Sequence, residues 1–501
     1  MSRRIIWSAG LAALALTWTS CAVRIQPAPM PLDLPQDFSR SGAEELPAQW
    51  WLCFNDPSLN VLMDRAFEGN FNLRSAWNRL EQAEAALRKS GATLYPELND
   101  SAAWKRTWSR EKSVQTVTIE TGDSSESTQT VQRTVVEEGH IDNASLGFSA
   151  SYEVDLWGRV RFARNAAKLD AEATLEDVMS AAVSLSANIA SLWYQLVAQR
   201  IQVRVLEEQL AVNQATLEII TLRFKRGQSS SIDVLQQRQL VETRSGQKTL
   251  AEAQLKTLEH SLAILLGQAP GALELPPDSQ LQELPPLPET GVPAELVRRR
   301  PDVRSDYLRI QAADQRVAAA IADRFPQLSI TARYDATNEK WRDLFDNWAA
   351  ALAANLTAPL FDAGLRKAEV ERTRAVADEY VNTYAQTILT ALHEVEDALA
   401  LESKQQEYLE SLHRQYELSQ QITEQTRDEY LKGSEDYLRV LDVQLSHQDL
   451  QSQLVEAQRQ LIDYRIDLCR ALAGGWELAR PEFSVAPRND LLTWLRSKRD
   501  N

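Results

Sequence analysis

Two long stretches without Gly or Pro constrain this fold more than any other feature of the sequence. They lie between Gly158 and Gly227 and between Gly364 and Gly433, and each pair of glycines spans 69 positions. Gly and Pro are the residues that most disfavour a helix interior, so each stretch predicts one continuous helix. At 1.5 Å per residue such a helix is roughly 100 Å long, which no ordinary globular domain needs.

The sequence around these stretches is repeated. The second pair of glycines follows the first at an offset of 206, and Leu438-Arg439-Val440-Leu441 repeats Ile232-Asp233-Val234-Leu235 at the same offset. Upstream, Leu73-Arg74 and Tyr95-Pro96 recur at an offset of 230 as Val303-Arg304 and Phe325-Pro326. The difference predicts 24 extra residues in the first copy before Gly158, where the polar stretch 121–130 indicates a loop.

Apolar residues in the first stretch follow alternating four- and three-residue steps, interrupted only at Gln199 and Asn213. They are Leu185, Ile189, Leu192, Leu196, Val203, Leu206, Leu210, Leu217, Ile220 and Phe224. A 3.5-residue repeat keeps one seam facing a partner helix, as in a coiled coil. Gly227 and Gly433 can end the helices in the left-handed conformation, so we predict helical returns over 232–266 and 438–472.

Two segments alternate apolar and polar residues and predict strands. Residues 145–156 keep a strict period of two, and residues 348–360 keep it less cleanly. Opposing strands are expected after Pro96 and Pro326. Strands of this length can cross a membrane when tilted, with aromatic belts from Trp104, Trp108, Tyr152, Trp157, Trp341 and Trp348. Known membrane barrels begin at about eight strands, so four strands per chain predict an oligomer.

The first 21 residues have the order of an export signal. Arg3 and Arg4 precede an apolar centre, and small residues precede Cys21. This resembles a bacterial lipoprotein signal, in which Cys21 becomes the lipidated first residue; the alternative is an ordinary signal peptide with an incidental cysteine. Ala22 follows the cysteine, at the position where lipoproteins retained at the inner membrane often have Asp, and this favours the outer membrane. In that oxidising compartment, Cys53 and Cys469 are expected to be two separate buried thiols rather than a disulfide.

Composition and motifs exclude several classes of function. A net charge of −16 argues against nucleic-acid binding, and a mean hydropathy of −0.36 argues against a polytopic helical membrane protein. The five histidines show no metal-binding spacing, and the segment 393–397 lacks the second histidine of a zinc-protease helix. We therefore expect no enzymatic activity, no metal and no cofactor.

Several motifs resemble the outer membrane factor family of TolC- and OprM-like channels and its NodT-type lipoproteins. They are Asn72-Leu73-Arg74 with Tyr95-Pro96, the segment 298–304 with Phe325-Pro326, the turns 224–227 and 430–433, and the segments 441–444 and 471–476. The resemblance implies an α+β membrane protein with a TolC-like fold and a duplicated β-β-long-helical-hairpin repeat. It implies a homotrimer whose twelve-strand β-barrel is continued by a twelve-helix periplasmic α-barrel. It also implies a passive exit duct for drugs or other small molecules, working with a periplasmic adaptor and an inner-membrane RND pump.

The resemblance also assigns roles to residues at the turns. Asp442, with Arg439 beside it, would form the pore constriction, and Tyr430 and Glu435 would belong to the gate. Glu435 and Arg439 are four positions apart, which predicts a pair on one helix. Because the turns are the points farthest from the barrel, we expect their tips to contact the adaptor; the tip residues are Phe224, Lys225, Arg226, Gly227, Lys432 and Gly433.

Six segments are expected along the chain. They are a lipoprotein signal peptide at 1–20, a tether and equatorial segment at 21–57, a first family repeat at 58–267, a Pro-rich linker at 268–295, a second repeat at 296–475 and a tail at 476–501. The competing hypothesis is a periplasmic coiled-coil adaptor, which also carries a long helical hairpin. An adaptor has one hairpin between small β-domains, whereas this sequence has two hairpins that each follow a pair of strands.

Overall fold

The computed structural model describes residues 32–119, 129–271, 275, 280–281, 283–474, 478 and 480. These residues form two compact units. The sheet unit comprises Glu84–Lys168 and Gln311–Asp378, and the helical unit comprises residues 32–83, Leu169–Ile310 and the described chain from Glu379 onward. The predicted signal peptide with Cys21, most of the predicted loop 121–130 and almost all of the predicted tail lie outside the described residues.

Eight α-helices and four strands follow one another in the described residues. The helices are α1 (Pro57–Gly69), α2 (Phe71–Ala92), α3 (Arg159–Lys225), α4 (Ser231–Leu265), α5 (Pro293–Arg299), α6 (Pro301–Ala322), α7 (Leu365–Lys432) and α8 (Tyr437–Leu472). The strands are β1 (Glu97–Ile119), β2 (Gln129–Val154), β3 (Gln327–Asn338) and β4 (Trp348–Thr357). The two predicted long helices are confirmed, at 67 residues for α3 and 68 for α7. The predicted helical returns are also confirmed as α4 and α8.

Both long helices end at the predicted glycines. Gly227 and Gly433 have φ angles of +74° and +86°, which only glycine adopts without strain. The Gly227 N–H donates to the carbonyl of Phe224 at 2.9 Å, and the Gly433 N–H donates to that of Tyr430 at 3.1 Å. The following residue in each turn bonds five positions back, so both ends are Schellman motifs.

The sheet unit contains one antiparallel sheet in the order β1-β2-β3-β4. The first hairpin is much longer than the second, with strands of 23 and 26 residues against 12 and 10. The prediction that β2 begins at residue 145 is wrong, because the strand begins at Gln129. Residues 129–143 pair with β1 alone, and their sequence lacks the alternation of apolar and polar residues that a packed sheet face requires.

The outer strands of this sheet are exposed. Every residue of β4 is exposed, including Leu352 and Leu356, and β1 and β4 each have one edge without a neighbouring strand in the described chain. Among the predicted belt aromatics, Trp157 instead stacks on Phe325 with ring centroids 4.9 Å apart and donates its indole N–H to the Pro326 carbonyl. Trp157 thus packs against the residues that directly precede β3.

The core of the helical unit surrounds the middle of α3. Trp193, Tyr194 and Leu196 are fully buried, and Trp50 from a 3₁₀ turn at Trp50–Phe54 packs into the same cluster. The Trp193 indole, which is buried there, donates to Asp56 at 2.7 Å. Cys53 and Cys469 are free thiols, as expected; Cys469 is fully buried in this core, and Cys53 packs against it and is partly buried.

Helix α3 is the one helix of the described chain that is long and apolar enough to cross a membrane by length and composition. Its most apolar stretch is 67% buried inside the protein. A core helix passes the same test, and burial of this stretch against neighbouring helices explains its hydropathy.

Candidate functional site

The turns that follow α3 and α7 present polar and apolar groups to solvent. All six predicted tip residues are exposed, and Phe224 keeps 45% of its surface accessible. Leu222 and Leu431 beside the turns are also about half exposed. Each turn is therefore a small amphipathic surface with basic groups from Lys225, Arg226 and Lys432.

The helices that leave the turns start with strong caps. Ser230 accepts a hydrogen bond from the Asp233 backbone N–H, and the Asp233 carboxylate accepts one from the Ser230 backbone N–H at 2.9 Å. Partial burial acts to raise the pKa of Asp233, but hydrogen bonds from Ser229 and Ser230 outweigh it and hold the pKa below its usual range. Asp436 caps α8 by accepting from the Arg439 N–H.

The predicted constriction residue Asp442 lies on α8 and is 78% exposed. Its nearest cation is Arg439, at 3.8 Å, and the guanidinium is 58% exposed. Glu435 lies before the Asp436 cap and therefore outside the helix. The predicted Glu435–Arg439 pair on one helix is wrong for that reason, and Arg439 pairs with Asp442 instead.

Tyr430 lies in a small cluster with Ile220, Tyr437 and Val440. The Arg223 guanidinium stacks over its ring at 4.6 Å. Its hydroxyl is buried and has no hydrogen-bond partner within the described residues. Beside this cluster, α3, α7 and α8 line a cavity of about 260 Å³ that includes Tyr430 and Tyr437.

A buried amide network lies next to this cluster and joins α3, α4 and α8. Asn213 is fully buried; its side-chain oxygen accepts from Gln444 at 2.8 Å, and its backbone carbonyl accepts from Gln237 at 2.7 Å. The Tyr437 hydroxyl donates to the side-chain oxygen of Gln237. Burial raises the pKa of Tyr437, and the nearby Asp233 carboxylate raises it further, so this hydroxyl stays protonated as a donor.

The network continues through Gln448. Its side-chain oxygen accepts from Asn213 at 3.3 Å and from the Arg244 guanidinium at 3.1 Å, and its backbone carbonyl accepts from Gln209 at 2.9 Å. Arg244 also reaches Asp449 at 3.2 Å. Each of these groups depends on side chains from another helix, so the network sets how the helices align near the turns.

The second repeat contains a related but different arrangement. Gln199 donates to the Ala251 carbonyl and Gln405 donates to the Ala457 carbonyl, both at 2.9 Å and at the repeat offset of 206. At the position that corresponds to Asn213, Ser419 contacts the His447 ring at 2.8 Å. Burial lowers the pKa of His447, which favours the neutral ring at neutral pH.

The sequence did not predict most of this network, although Gln199 and Asn213 stand out in it as interruptions of the apolar seam. A polar residue at a seam position is itself the signal, because a buried amide needs a partner on the facing helix. Gln237, Gln444 and Gln448 gave no such signal. Within the part of the chain that the structure describes, no group of three or more His, Cys, Asp and Glu side chains can hold a metal ion.

Two long helical hairpins and an amphipathic antiparallel sheet with open edges are typical of outer-membrane channels. The solved outer-membrane channel OprN has the same fold: it superposes with a TM-score of 0.78 at 25% identity over 91% of this chain and 100% of that chain. A family model described as outer membrane efflux protein matches residues 62–268 and 292–474. This chain therefore belongs to the outer membrane efflux protein family.

Relatives with assigned functions agree with this membership. The pyoverdine export outer membrane protein OpmQ of Pseudomonas aeruginosa is 31% identical over 452 residues, which cover 88% of this chain and 90% of that protein. The solvent efflux pump outer membrane protein SrpC of Pseudomonas putida is 30% identical over 85% of this chain and 87% of that protein. The chain is thus an outer-membrane efflux channel component, and the adaptor hypothesis is wrong.

The two tyrosines near the turns predict opposite responses to the same substitution. Tyr437→Phe removes the hydroxyl that satisfies buried Gln237, so we expect a loss of about 1–3 kcal/mol in unfolding free energy. Tyr430→Phe removes a hydroxyl without a partner in the described chain and should leave stability unchanged or slightly raised. Thermal unfolding of the detergent-solubilised protein, followed by circular dichroism, measures both. Equal losses in the two variants would contradict this assignment.

Proposed function

We propose that three copies of this chain assemble into one channel. The observation that supports the trimer is the sheet: β1 and β4 leave two edges unpaired in the described chain, and β4 exposes Leu352 and Leu356. In a bilayer each unpaired backbone group costs several kcal/mol, so the edges must pair with other copies. Three copies supply twelve strands for a closed barrel and twelve helices for a tunnel.

We propose that this channel is the passive exit duct of a tripartite system with a periplasmic adaptor and an inner-membrane RND pump. The printed functions of the relatives, pyoverdine export and solvent efflux, support a small-molecule cargo. The described helices provide an exposed surface and a cavity near the turns. On this proposal the chain conducts the cargo, and the partner pump selects which small molecules are exported.

The predicted segments and the anchor remain part of this proposal. The family-matched ranges support two repeats at 58–267 and 296–475, separated by the linker 268–295. Cys21 lies outside the described residues, and its lipidation rests on the signal pattern alone. An acyl group there would anchor the N-terminus in the outer membrane.

We further propose that Asp442 forms the constriction as a ring of three carboxylates, with Arg439 modulating its charge. Both side chains are highly exposed, and an exposed ion pair at 3.8 Å contributes little to stability. This supports a role in the pore rather than in holding the fold together. Like charges placed around a narrow pore attract the opposite ion. Tyr430 and Glu435 would belong to the same gate, since both lie at the turn between α7 and α8.

The trimer predicts a single mass for the detergent-solubilised protein. Native mass spectrometry should give three chains, each carrying the mass of an acyl-modified N-terminal cysteine. A stable solubilised monomer that keeps its β content would contradict the trimer, whereas an unmodified N-terminus would contradict only the lipidation of Cys21.

The constriction predicts opposite changes in ion selectivity for the two members of its ion pair. In planar bilayers, Asp442→Ala should lower the cation-to-anion permeability ratio several-fold, because the carboxylate ring is lost. Arg439→Ala should raise the ratio, because it leaves the carboxylates without their cation. Glu417→Ala is the matched control, since it removes an exposed acid of α7 far from the turn. Wild-type selectivity in both variants would overturn the assignment.

The exposed turns predict that export depends on their basic groups. Lys225→Glu, Arg226→Glu and Lys432→Glu should reduce export of a pump substrate at least several-fold while the trimer still assembles. Lys404→Glu serves as a control, because this exposed lysine lies on α7 far from the turn and pairs with its neighbour Glu407. Unchanged export in all three tip variants would remove the proposed adaptor contact.

A further inference from the structure

The first hairpin of the sheet unit extends well beyond the four-stranded region. Residues 105–119 of β1 pair with residues 129–143 of β2, and neither segment has another neighbouring strand in the described chain. We call this two-stranded segment the arm. The second hairpin has no comparable extension, because β3 ends at Asn338 and β4 already begins at Trp348.

The arm lies at the end of the sheet that is remote from the helices. Within the sheet unit, α2 ends shortly before β1 begins and α3 begins shortly after β2 ends, so the helices adjoin the opposite end of this hairpin. The helical extension of this family lies in the periplasm, which places the arm on the extracellular side. The eleven residues of β2 that pair with β3 rise about 28 Å at a tilt of about 40°, enough to cross an apolar band of about 25 Å.

One face of the sheet is continuous from the four-stranded region into the arm. Directly paired residues share a face, and the register pairs even-numbered residues with even-numbered residues throughout the sheet. In the four-stranded region this even face is apolar, with Phe148, Ile330 and Leu352 exposed on it, whereas the odd face carries residues such as Ser149 and Thr331. The even face is therefore the lipid-facing side of the barrel proposed above, on which this inference rests.

Exposed aromatic side chains mark the level at which the four-stranded region ends. Trp104 and Trp348 are exposed on the even face, and Trp341 is exposed in the 3₁₀ turn Trp341–Asp346. This turn packs on the even face, because its Leu344 is buried in a cluster with residues of that face. Aromatic girdles lie at the interfaces of membrane barrels, so the arm begins where the headgroups of the outer leaflet lie.

Above this level the even face of the arm combines cationic and aromatic side chains. The Arg106 guanidinium lies 5.3 Å from the centre of the Trp104 ring and donates two hydrogen bonds to Asp142, at 2.6 and 2.7 Å. Trp108 follows on the same face and is 74% exposed. Arg106 thus positions the first ring, and the second ring is open to a ligand.

Two cations further along the same face can bind an anion. Arg110 pairs with Glu138 at 3.0 Å, but both side chains are about two thirds exposed. Such a pair contributes little to stability, so the guanidinium can exchange this partner for another. Lys112 lies opposite Val136 rather than opposite an acid.

The two faces of the arm also differ in charge. Within residues 105–115 and 134–143, the even face carries three Arg or Lys side chains and two carboxylates, whereas the odd face carries one Lys and two carboxylates. The more positive face is therefore the one that continues the lipid-facing side of the sheet.

We propose that the even face of the arm binds the phosphorylated sugar headgroup of an outer-leaflet glycolipid. The Trp108 indole provides a flat apolar surface on which a sugar ring packs, and Arg110 and Lys112 bind the phosphate groups. Glycolipids with phosphorylated sugars form most of the outer leaflet of a bacterial outer membrane, so this headgroup is the anion nearest to the face. Bound in this way, the glycolipid holds the arm against the membrane surface.

Native mass spectrometry of the detergent-solubilised full-length protein, titrated with diphosphoryl lipid A, tests the proposal. We expect diphosphoryl lipid A to bind several-fold more tightly than monophosphoryl lipid A or phosphatidylglycerol, because the site requires both the sugar and its phosphates. Equal affinity for either of the other two lipids would overturn the proposal. The same spectra count the chains, and lipid binding is scored per chain, so failure of the trimer is distinguished from failure of this inference.

Variants on the two faces of the arm separate a specific site from general attraction to anionic lipid. Trp108→Ala and Lys112→Gln should each weaken binding of diphosphoryl lipid A several-fold. Lys105→Gln is the matched control, because it removes the same charge from the odd face of the arm and should leave the affinity unchanged. An equal loss in Lys105→Gln, or wild-type affinity in either even-face variant, would overturn the proposal.

Photo-crosslinking in the native outer membrane tests the orientation of the arm. A benzophenone side chain is introduced at His140, which lies opposite Trp108 on the even face, or at the neighbouring Ile141 on the odd face. Illumination should crosslink the first position to glycolipid, detected with an antibody against its sugars, and should leave the second without a crosslink. Equal crosslinking at both positions, or no crosslink at His140, would also overturn the proposal.

Discussion

A helix of nearly seventy residues persists in water only when a partner covers its apolar seam along the whole length, and the helical unit is organised around this requirement. Isolated helices are marginal, so packing supplies most of their stability. Helix α8 follows α3 through Ser191 to Asp463 at 2.8 Å and Gln202 to Ser452 at 2.9 Å. These contacts run in antiparallel order, so the helix that returns from the second hairpin, α8, lies along the long helix of the first hairpin, α3.

The character of the seam changes toward the turns. Near the middle of α3 the seam buries apolar residues such as Ile189 and Leu196, whereas near the turns the buried residues include Asn213 on α3 and Gln237 on α4. Apolar packing resists sliding because every displacement opens a void. Amide hydrogen bonds contribute only about 1 kcal/mol net and can be exchanged for other polar partners. The polar end of the seam is therefore the part that can exchange one set of partners for another, which is consistent with the gate proposed near the turns.

The sheet unit is subject to a different constraint, because the groups that lack partners in it are backbone N–H and C=O groups at the two sheet edges. The open edges of β1 and β4 can be satisfied only by strands from other copies. The first hairpin extends past the β2–β3 pairing as a long arm, in which residues 105–119 of β1 pair only with residues 129–143 of β2. Cross-strand ion pairs such as Arg106–Asp142 at 2.6 Å stabilise that arm without a packed face. The sequence of this arm is mostly polar, which explains why the alternation of apolar and polar residues in β2 is confined to the part that also pairs with β3.

The sequence by itself determined the long helices and the glycine turns, because helix propensity, seam periodicity and backbone conformation are local properties. Its repeated segments indicated the duplication, and its motifs carried the resemblance to the family. It could not decide which groups meet across the fold. The predicted Glu435–Arg439 pair was wrong because the helix begins only after the Asp436 cap, which leaves Glu435 outside it. The amide network around Asn213 joins residues more than two hundred positions apart, such as Asn213 and Gln444. Only the packing of the helices against one another brought them together, since a buried polar group takes whichever partner the neighbouring helix presents.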